Sequence, residues 1–386
     1  MAPPQRLRIH IPQSELDQLQ ARLRHTRWPA EVGNAGGRYG APKEWVADLV
    51  RYWTDTYDWR ATEAAMNAYE HYRVVIDDVP IHFMRVPGKG SDPLPLVLTH
   101  GWPWTFWDLH RVVDALADPA AYGADPIDSF EVIVPSLPGY GLSVPLTTTG
   151  VNIARIAELW TTLMTEVLGH RRFGAEGGDW GAAVTGQLGH AYPEHLTGVY
   201  LTLAIIPGLV GRRAPSADQF APDEQWMLER MKQAAPMMEA HIAVHRREPQ
   251  TLAYAMADSP AGLAAWLWRR RQLWCDGDPL DVFGRDFLCT LASLYWFNTS
   301  FASSIRLYAE EFGRPPLLAH GRDRIIEAPT GFGIFPKELL FLPRSVAERH
   351  TDLRAWNIHE RGGHFAPAEQ PDAVVADLRA FFRPLR

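Results

Sequence analysis

The chain has only two cysteines, Cys275 and Cys289, and no CxxC pair. That excludes a disulfide framework and a cysteine-built metal centre, and suits a reducing compartment with two structural thiols. No run of about 18 apolar residues occurs, and residues 1–20 lack an apolar signal core, so neither a membrane anchor nor an export signal is expected and a cytoplasmic location is. Positive charge is not in excess. The 38 Lys and Arg against 45 Asp and Glu leave a net charge of -7, which argues against nucleic acid or an anionic membrane as a partner. The histidines are scattered, with no HxxxH or HxH cluster set against carboxylates, so no metal is expected. Repeats and low-complexity tracts are absent. What is present is 386 residues with 46% hydrophobic content, enough for one large domain carrying insertions or an accessory region. The 15 tryptophans fit a large aromatic core first and a pocket for a flat ligand second.

The N-terminal part is helical in pattern. Leu16, Leu19 and Leu23 recur at helical spacing over Pro12–Arg24, with Ser14 as a candidate N-cap, and Leu49, Val50 and Trp53 repeat the pattern over Trp45–Tyr57. Gly33–Pro42 reads as a surface loop, and Arg73–Val86 as a hairpin turning at Asp77-Asp78. From Leu94 short buried strands (Leu96–Thr99, Phe130–Val134, Arg172–Glu176, Thr197–Ala204) alternate with helices (Phe106–Leu116, Asn152–Leu168, Ala182–Tyr192). This rhythm predicts an α/β fold with a parallel sheet covered on both faces. It stops after Ala204. Residues 211–313 are helical in pattern and rich in Trp, Met and Arg; strand-like pieces return at Arg324–Phe335 and Ala355–Glu360, before a final helix over Ala373–Phe382. The simplest division is an N-terminal extension (1–90), a core (91–209), a helical cap inserted over the carboxyl ends of the strands (210–313), and the rest of the core (314–386).

Gly177-Gly178-Asp179-Trp180-Gly181 carries the chemistry. Small residues at both ends permit a sharp strand-to-helix turn that lifts the central side chain out of the fold, the geometry of a nucleophile elbow. An aspartate at its centre suits attack on a carbon electrophile, because the resulting ester can later be cleaved by water. In the α/β-hydrolase order of nucleophile, acid and histidine, His364 in Gly362-Gly363-His364-Phe365 would be the base, and Glu338 in Phe335-Pro336-Lys337-Glu338 its orienting acid. Asp323 and Glu327 are rivals on chain order alone, and both are placed before the strand. His100-Gly101-Trp102-Pro103 follows the first core strand, so the Trp102 and Trp180 N–H groups are the expected oxyanion donors. Singly, each motif reads equally well as a packing turn or a capping aspartate. Together, in the required order and each after a strand-like segment, they point to a catalytic site.

These motifs resemble the microsomal-type epoxide hydrolases of the α/β-hydrolase superfamily, in their soluble bacterial form. The likeness covers nearly the whole chain: Thr26-Arg27-Trp28-Pro29 and Tyr57-Asp58-Trp59-Arg60 in the extension, then HGWP, Pro138-Gly139-Tyr140-Gly141, GGDWG, the run from Asp258 to Trp266, FPKE and GGHFAPAEQP. It implies an α/β-hydrolase core with a helical cap and N-terminal extension, and cofactor-free hydrolysis of a small-molecule epoxide by water to a vicinal diol. It implies Asp179 as nucleophile and His364 with Glu338 as the charge pair. Family members also carry two cap tyrosines that protonate the leaving oxygen. Tyr308 matches the second; the first falls at His241, a departure. Either His241 supplies that donor, or Tyr308 works with another group, or Tyr254 swings in; the bland reading of His241 is a helix-surface residue. The bulky Trp104-Thr105-Phe106-Trp107 is similar to epoxide hydrolases of bacterial natural-product pathways, including enediyne antibiotic biosynthesis, where the substrate resembles an aryl or vinyl epoxide. That makes Trp104, Trp107 and Tyr254 candidate pocket residues, although Trp104 and Trp107 also fit as packing for the following helix. A homodimer is the assembly entertained.

Three other readings compete. A haloalkane dehalogenase shares the aspartate elbow but needs halide donors and no acid, against which Tyr308 and the extension stand. An epoxide-opening cyclase would not require the His–Glu pair. A silent binding protein of the same fold would not need Asp179, Glu338 and His364 intact.

Overall fold

The computed structural model describes residues 3–209, 215–313 and 318–386. The expected start of the cap at 210 and the resumption of the core at 314 lie outside the described residues.

Nine strands form one sheet: β1 (Gln5–Leu7), β2 (Glu70–Ile76), β3 (Val79–Val86), β4 (Leu94–Thr99), β5 (Phe130–Pro135), β6 (Phe173–Gly177), β7 (Leu196–Leu201), β8 (Ile326–Ile334) and β9 (Thr351–Ile358). Their spatial order is β1-β2-β3-β5-β4-β6-β7-β8-β9. From β5 to β9 every pairing is parallel, and β6 and β7 are buried along their whole length because both faces are covered. The strands from Leu94 onward are parallel to one another as expected, and the hairpin adds an antiparallel edge: β1 pairs with β2, β2 with β3 and β3 with β5, all antiparallel. The hairpin therefore continues the core sheet. Asp77 and Asp78 have φ of 47° and 63°, the left-handed pair that a two-residue hairpin turn of this twist requires.

The N-terminal helices are α1 (Gln13–Arg24), α2 (Lys43–Asp55) and α3 (Trp59–Met66). Ser14 does not cap α1: the chain enters at Pro12, whose carbonyl accepts the Glu15 N–H, and Ser14 is already inside the first turn. The core helices are α4 (His110–Ala117, after a 3₁₀ turn at Phe106–Leu109), α5 (Ile153–Thr162) and α6 (Trp180–Ala191). The cap contributes α7 (Gln225–Arg247), α8 (Pro249–Asp258), α9 (Pro260–Trp274), α10 (Pro279–Val282), α11 (Arg285–Phe297) and α12 (Phe301–Phe312); the core closes with α13 (Arg344–His350), α14 (Ala366–Glu369) and α15 (Pro371–Phe382). Helices α5 and α6 form one layer over the sheet, and α4 and α15 the other. The extension clamps the outside of the cap. Trp53 Nε1 donates to Ser293 Oγ at 3.0 Å, Tyr52 donates to Asp286 at 2.8 Å, and Arg22 to Asp258 at 2.9 Å. No helix among the described residues is long and apolar enough to cross a membrane, and both cysteines are buried free thiols.

Candidate active site

The carboxyl ends of β4, β6, β8 and β9 converge beneath the cap, and each delivers one piece of the site. Between β6 and α6, Asp179 adopts φ 50° and ψ -125°. A non-glycine residue held there stores about 1–3 kcal/mol of strain, characteristic of functional turns. The turn is possible because its neighbours lack side chains: a Cβ on Gly181 would strike the Thr99 carbonyl, and one on Gly101 would strike the Asp179 carboxylate. Asp179 makes no capping bond to its own helix. Its Oδ1 accepts the Trp102 N–H at 2.6 Å, and its Oδ2 lies 3.2 Å from His364 Nε2. Of the two backbone donors expected, only Trp102 bonds this carboxylate among the described residues.

His364 follows β9 and Glu338 follows β8. Their side chains meet at 2.7 Å, Nδ1 to Oε1, and the same Glu338 oxygen accepts the Leu339 N–H at 2.6 Å. Of the two rival acids, Asp323 precedes β8, while Glu327 lies within the strand and pairs with Arg322 instead. Burial disfavours a charged His364, but the Glu338 charge, the nearby Asp179 carboxylate and the hydrogen bond to Glu338 outweigh it and raise its pKa. Glu369, which sequence reasoning did not single out, ties the histidine loop down. It accepts the N–H groups of Gly363 (3.0 Å), Phe365 (2.8 Å) and Asp276 (2.7 Å). The His364 N–H donates in turn to the Trp274 carbonyl of the cap at 3.0 Å.

The cap supplies an aromatic wall. Tyr308 of α12 is buried against Trp180, with ring centroids 4.8 Å apart, and against Trp102 at 6.0 Å. Burial, then the Asp179 charge, raise its phenol well above the ordinary value, so it stays a neutral donor. His241 is not on a helix surface. It is 3% exposed, stacks on the Trp102 ring at 5.2 Å and lies 5.5 Å from Tyr308. Its Nδ1 is buried without a partner. One turn along α7, His245 sits edge-on to Trp102 at 4.5 Å and to Tyr308 at 4.9 Å, and its Nε2 accepts the Trp266 indole N–H at 3.1 Å. Burial holds both imidazoles neutral, His245 at about 3. The i, i+4 spacing of the two histidines was visible in the sequence; their common inward face was not.

The remaining candidates divide. Trp104 is buried against the site, 5.8 Å from His364 and in the space beside Gly178. Trp107 faces away from it, stacked on His110 at 4.5 Å and edge-on to Tyr69 at 6.0 Å, so it packs the helix and is not a pocket residue. Tyr254 is 71% exposed, because α8 turns Ala253 inward in its place, which removes it as a pocket residue and as a substitute donor.

Two family profiles cover the chain: "Epoxide hydrolase N terminus" matches residues 4–109 and "Alpha/beta hydrolase family" matches 96–378. A Stigmatella aurantiaca protein named "Putative epoxide hydrolase" is 39% identical over 98% of this chain and 84% of its own length. The chain belongs to the epoxide hydrolases of the α/β-hydrolase family. Epoxide hydrolase 1 of Oryctolagus cuniculus is 30% identical, over 97% of this chain and 87% of its own. The epoxide hydrolase of Aspergillus niger superposes with a TM-score of 0.87 at 28% identity, covering 100% of this chain and 97% of that one. As an epoxide hydrolase, the protein acts on a small-molecule epoxide with water.

Proposed function

We propose that this epoxide hydrolase works through an aspartyl ester. Asp179 attacks one ring carbon, the carbon–oxygen bond breaks, and the oxygen takes a proton from Tyr308, with His241 as the second donor to that oxygen. A neutral phenol suits this role, being far more acidic than the alcohol it forms. His364, oriented by Glu338, then takes a proton from water, which attacks the ester carbonyl. The Trp102 N–H, joined by that of Trp180, steadies the tetrahedral oxyanion. Collapse expels the second alkoxide, which takes the proton from His364 and leaves as the diol, and the Asp179 carboxyl returns its proton to His364 to regenerate the carboxylate.

The observation carrying this reading is the Asp179 carboxylate, held by the Trp102 N–H at 2.6 Å on one oxygen and facing His364 Nε2 at 3.2 Å on the other. The electrostatics order the two half-reactions. While Asp179 is an anion it helps keep His364 protonated. Esterification removes that charge, the extra proton of His364 passes to the Tyr308 phenolate left by ring opening, and the neutral imidazole is free to act as a base. The aromatic wall of Trp102, Trp180, Trp274 and Tyr308 supports an aryl or vinyl epoxide as substrate, and the HGWPWTFW run supports a place in secondary metabolism, in the making of an antibiotic.

The test is a trapped intermediate. His364→Gln protein is mixed with aryl epoxides and its mass and peptides are measured. A substrate-sized adduct on the peptide containing Asp179 is expected. Turnover without any adduct, or an adduct elsewhere, would sink the mechanism.

A further inference from the structure

Trp266, Arg270 and Trp274 are spaced one turn apart on α9 and so share one face of that helix. The two tryptophans show where that face points. Trp266 donates to His245 Nε2, and the Trp274 ring lies 5.0 Å from His241, 6.3 Å from Trp102 and 5.1 Å from His364. Arg270, midway between them, belongs to the same wall. It is 6% exposed, and its guanidinium lies 4.7 Å from the Trp266 ring centroid. Its Nε is buried without an acceptor, and no carboxylate pairs with its guanidinium among the described residues. Arg271, on the next face, does have a charge partner, with Asp108 at 2.6 Å and the Pro103 carbonyl at 2.9 Å.

A ring face covers the plane of a guanidinium but leaves its in-plane donors unused, and a buried cation without an anion is costly. Burial lowers the pKa of Arg270 to about 10, which still leaves it charged at pH 7, beside two neutral imidazoles. The missing partner is an anion that arrives with the ligand. We propose that Arg270 binds a carboxylate on the substrate, so that the preferred epoxides carry a carboxylate near the ring. This rests on the reading above, in which the epoxide lies between Asp179 and Tyr308. A bidentate carboxylate would also fix which ring carbon faces Asp179.

The probes are trans-3-phenyloxirane-2-carboxylate and its methyl ester, compared by kcat/KM. Wild type should prefer the acid by about 10- to 100-fold, the worth of a charge-assisted hydrogen bond. Arg270→Gln should lower that acid-to-ester ratio by a similar factor, chiefly through KM, and Arg270→Lys should restore part of it. An unchanged ratio in Arg270→Gln, or a wild type that prefers the ester, overturns the proposal. Should Arg270→Gln fail to fold, product inhibition of wild type decides: the dihydroxy acid must inhibit more strongly than its methyl ester, and equal inhibition overturns the idea. Asp179→Asn separates the two levels. If it turns over normally, the site reading fails; if it is inactive while the Arg270→Gln ratio stands unmoved, only the carboxylate proposal fails.

Discussion

Replacing Arg271 by Met should destabilise the protein far more than its position outside the reacting groups suggests. Arg271 and Asp108 form an ion pair at 2.6 Å with side chains 0% and 1% exposed. Attraction at that distance is about 6 kcal/mol with an effective dielectric constant near 20. Most of it offsets the desolvation of two ions, so the intact pair contributes little net stability. Removing one partner is different, because it strands the other charge in the interior at a cost of about 3–5 kcal/mol. Arg271→Met also forfeits the bond to the Pro103 carbonyl and the contact with the Phe365 ring at 3.9 Å. Asp108→Asn keeps an oxygen for the Thr105 N–H that Asp108 now accepts at 2.8 Å, so the cap of that turn should survive. A double-mutant cycle by urea unfolding, followed by tryptophan fluorescence, should show the double variant costing less than the sum of the singles by at least about 2 kcal/mol. Costs that add to within about 0.5 kcal/mol would refute the reasoning.

Tyr308→Phe should slow ring opening by about 10² to 10⁴, measured as the alkylation step in single turnover; a rate near wild type removes Tyr308 as the acid. His241→Phe keeps the stack on Trp102 but deletes a donor, and should slow the same step by about tenfold or more; no change would reduce His241 to packing. Glu176, fully buried in β6, is pushed by burial from 4.5 to about 8. Between those values the folded state keeps a proton that the unfolded state has lost, so stability falls as pH rises through the window and levels off above it. Glu176→Gln should flatten that part of the Tm-versus-pH curve, and an identical slope would count against a neutral buried Glu176. Glu369→Gln should slow ester hydrolysis more than alkylation, since it loosens the His364 loop and leaves the elbow untouched; equal slowing would refute that.

The site's backbone was legible because its motifs encode geometry. GGDWG can be read as an elbow since Gly181 leaves no room for a Cβ, and GGH as a hinged loop in front of a base. Glu338 followed from chain order and from the room for one helix and one strand before His364. What stayed hidden depends on contacts between distant segments. Nothing local says that β3 pairs with β5, or that α9 sets Arg270 over Trp266 and turns Arg271 toward Asp108. Helix α3 shows too little periodicity to be read, because eight residues span barely two turns, although Asp58, which accepts the Arg60 and Ala61 N–H groups, is a readable cap. Tyr254 misled for the reverse reason: its residue type suited the chemistry, and only the rotation of α8 shows it facing solvent.

The clamp of the first two helices on the cap sets an order for making the protein. Trp53 finds its hydrogen-bond partner Ser293 240 residues further along the chain. At about 5–20 residues per second, a ribosome needs roughly 12–48 s to deliver that partner. Through that interval the apolar faces of α1 and α2, with Leu19, Leu23, Leu49 and Trp53, are synthesised but uncovered. The segment made first is therefore among the last to be locked in place.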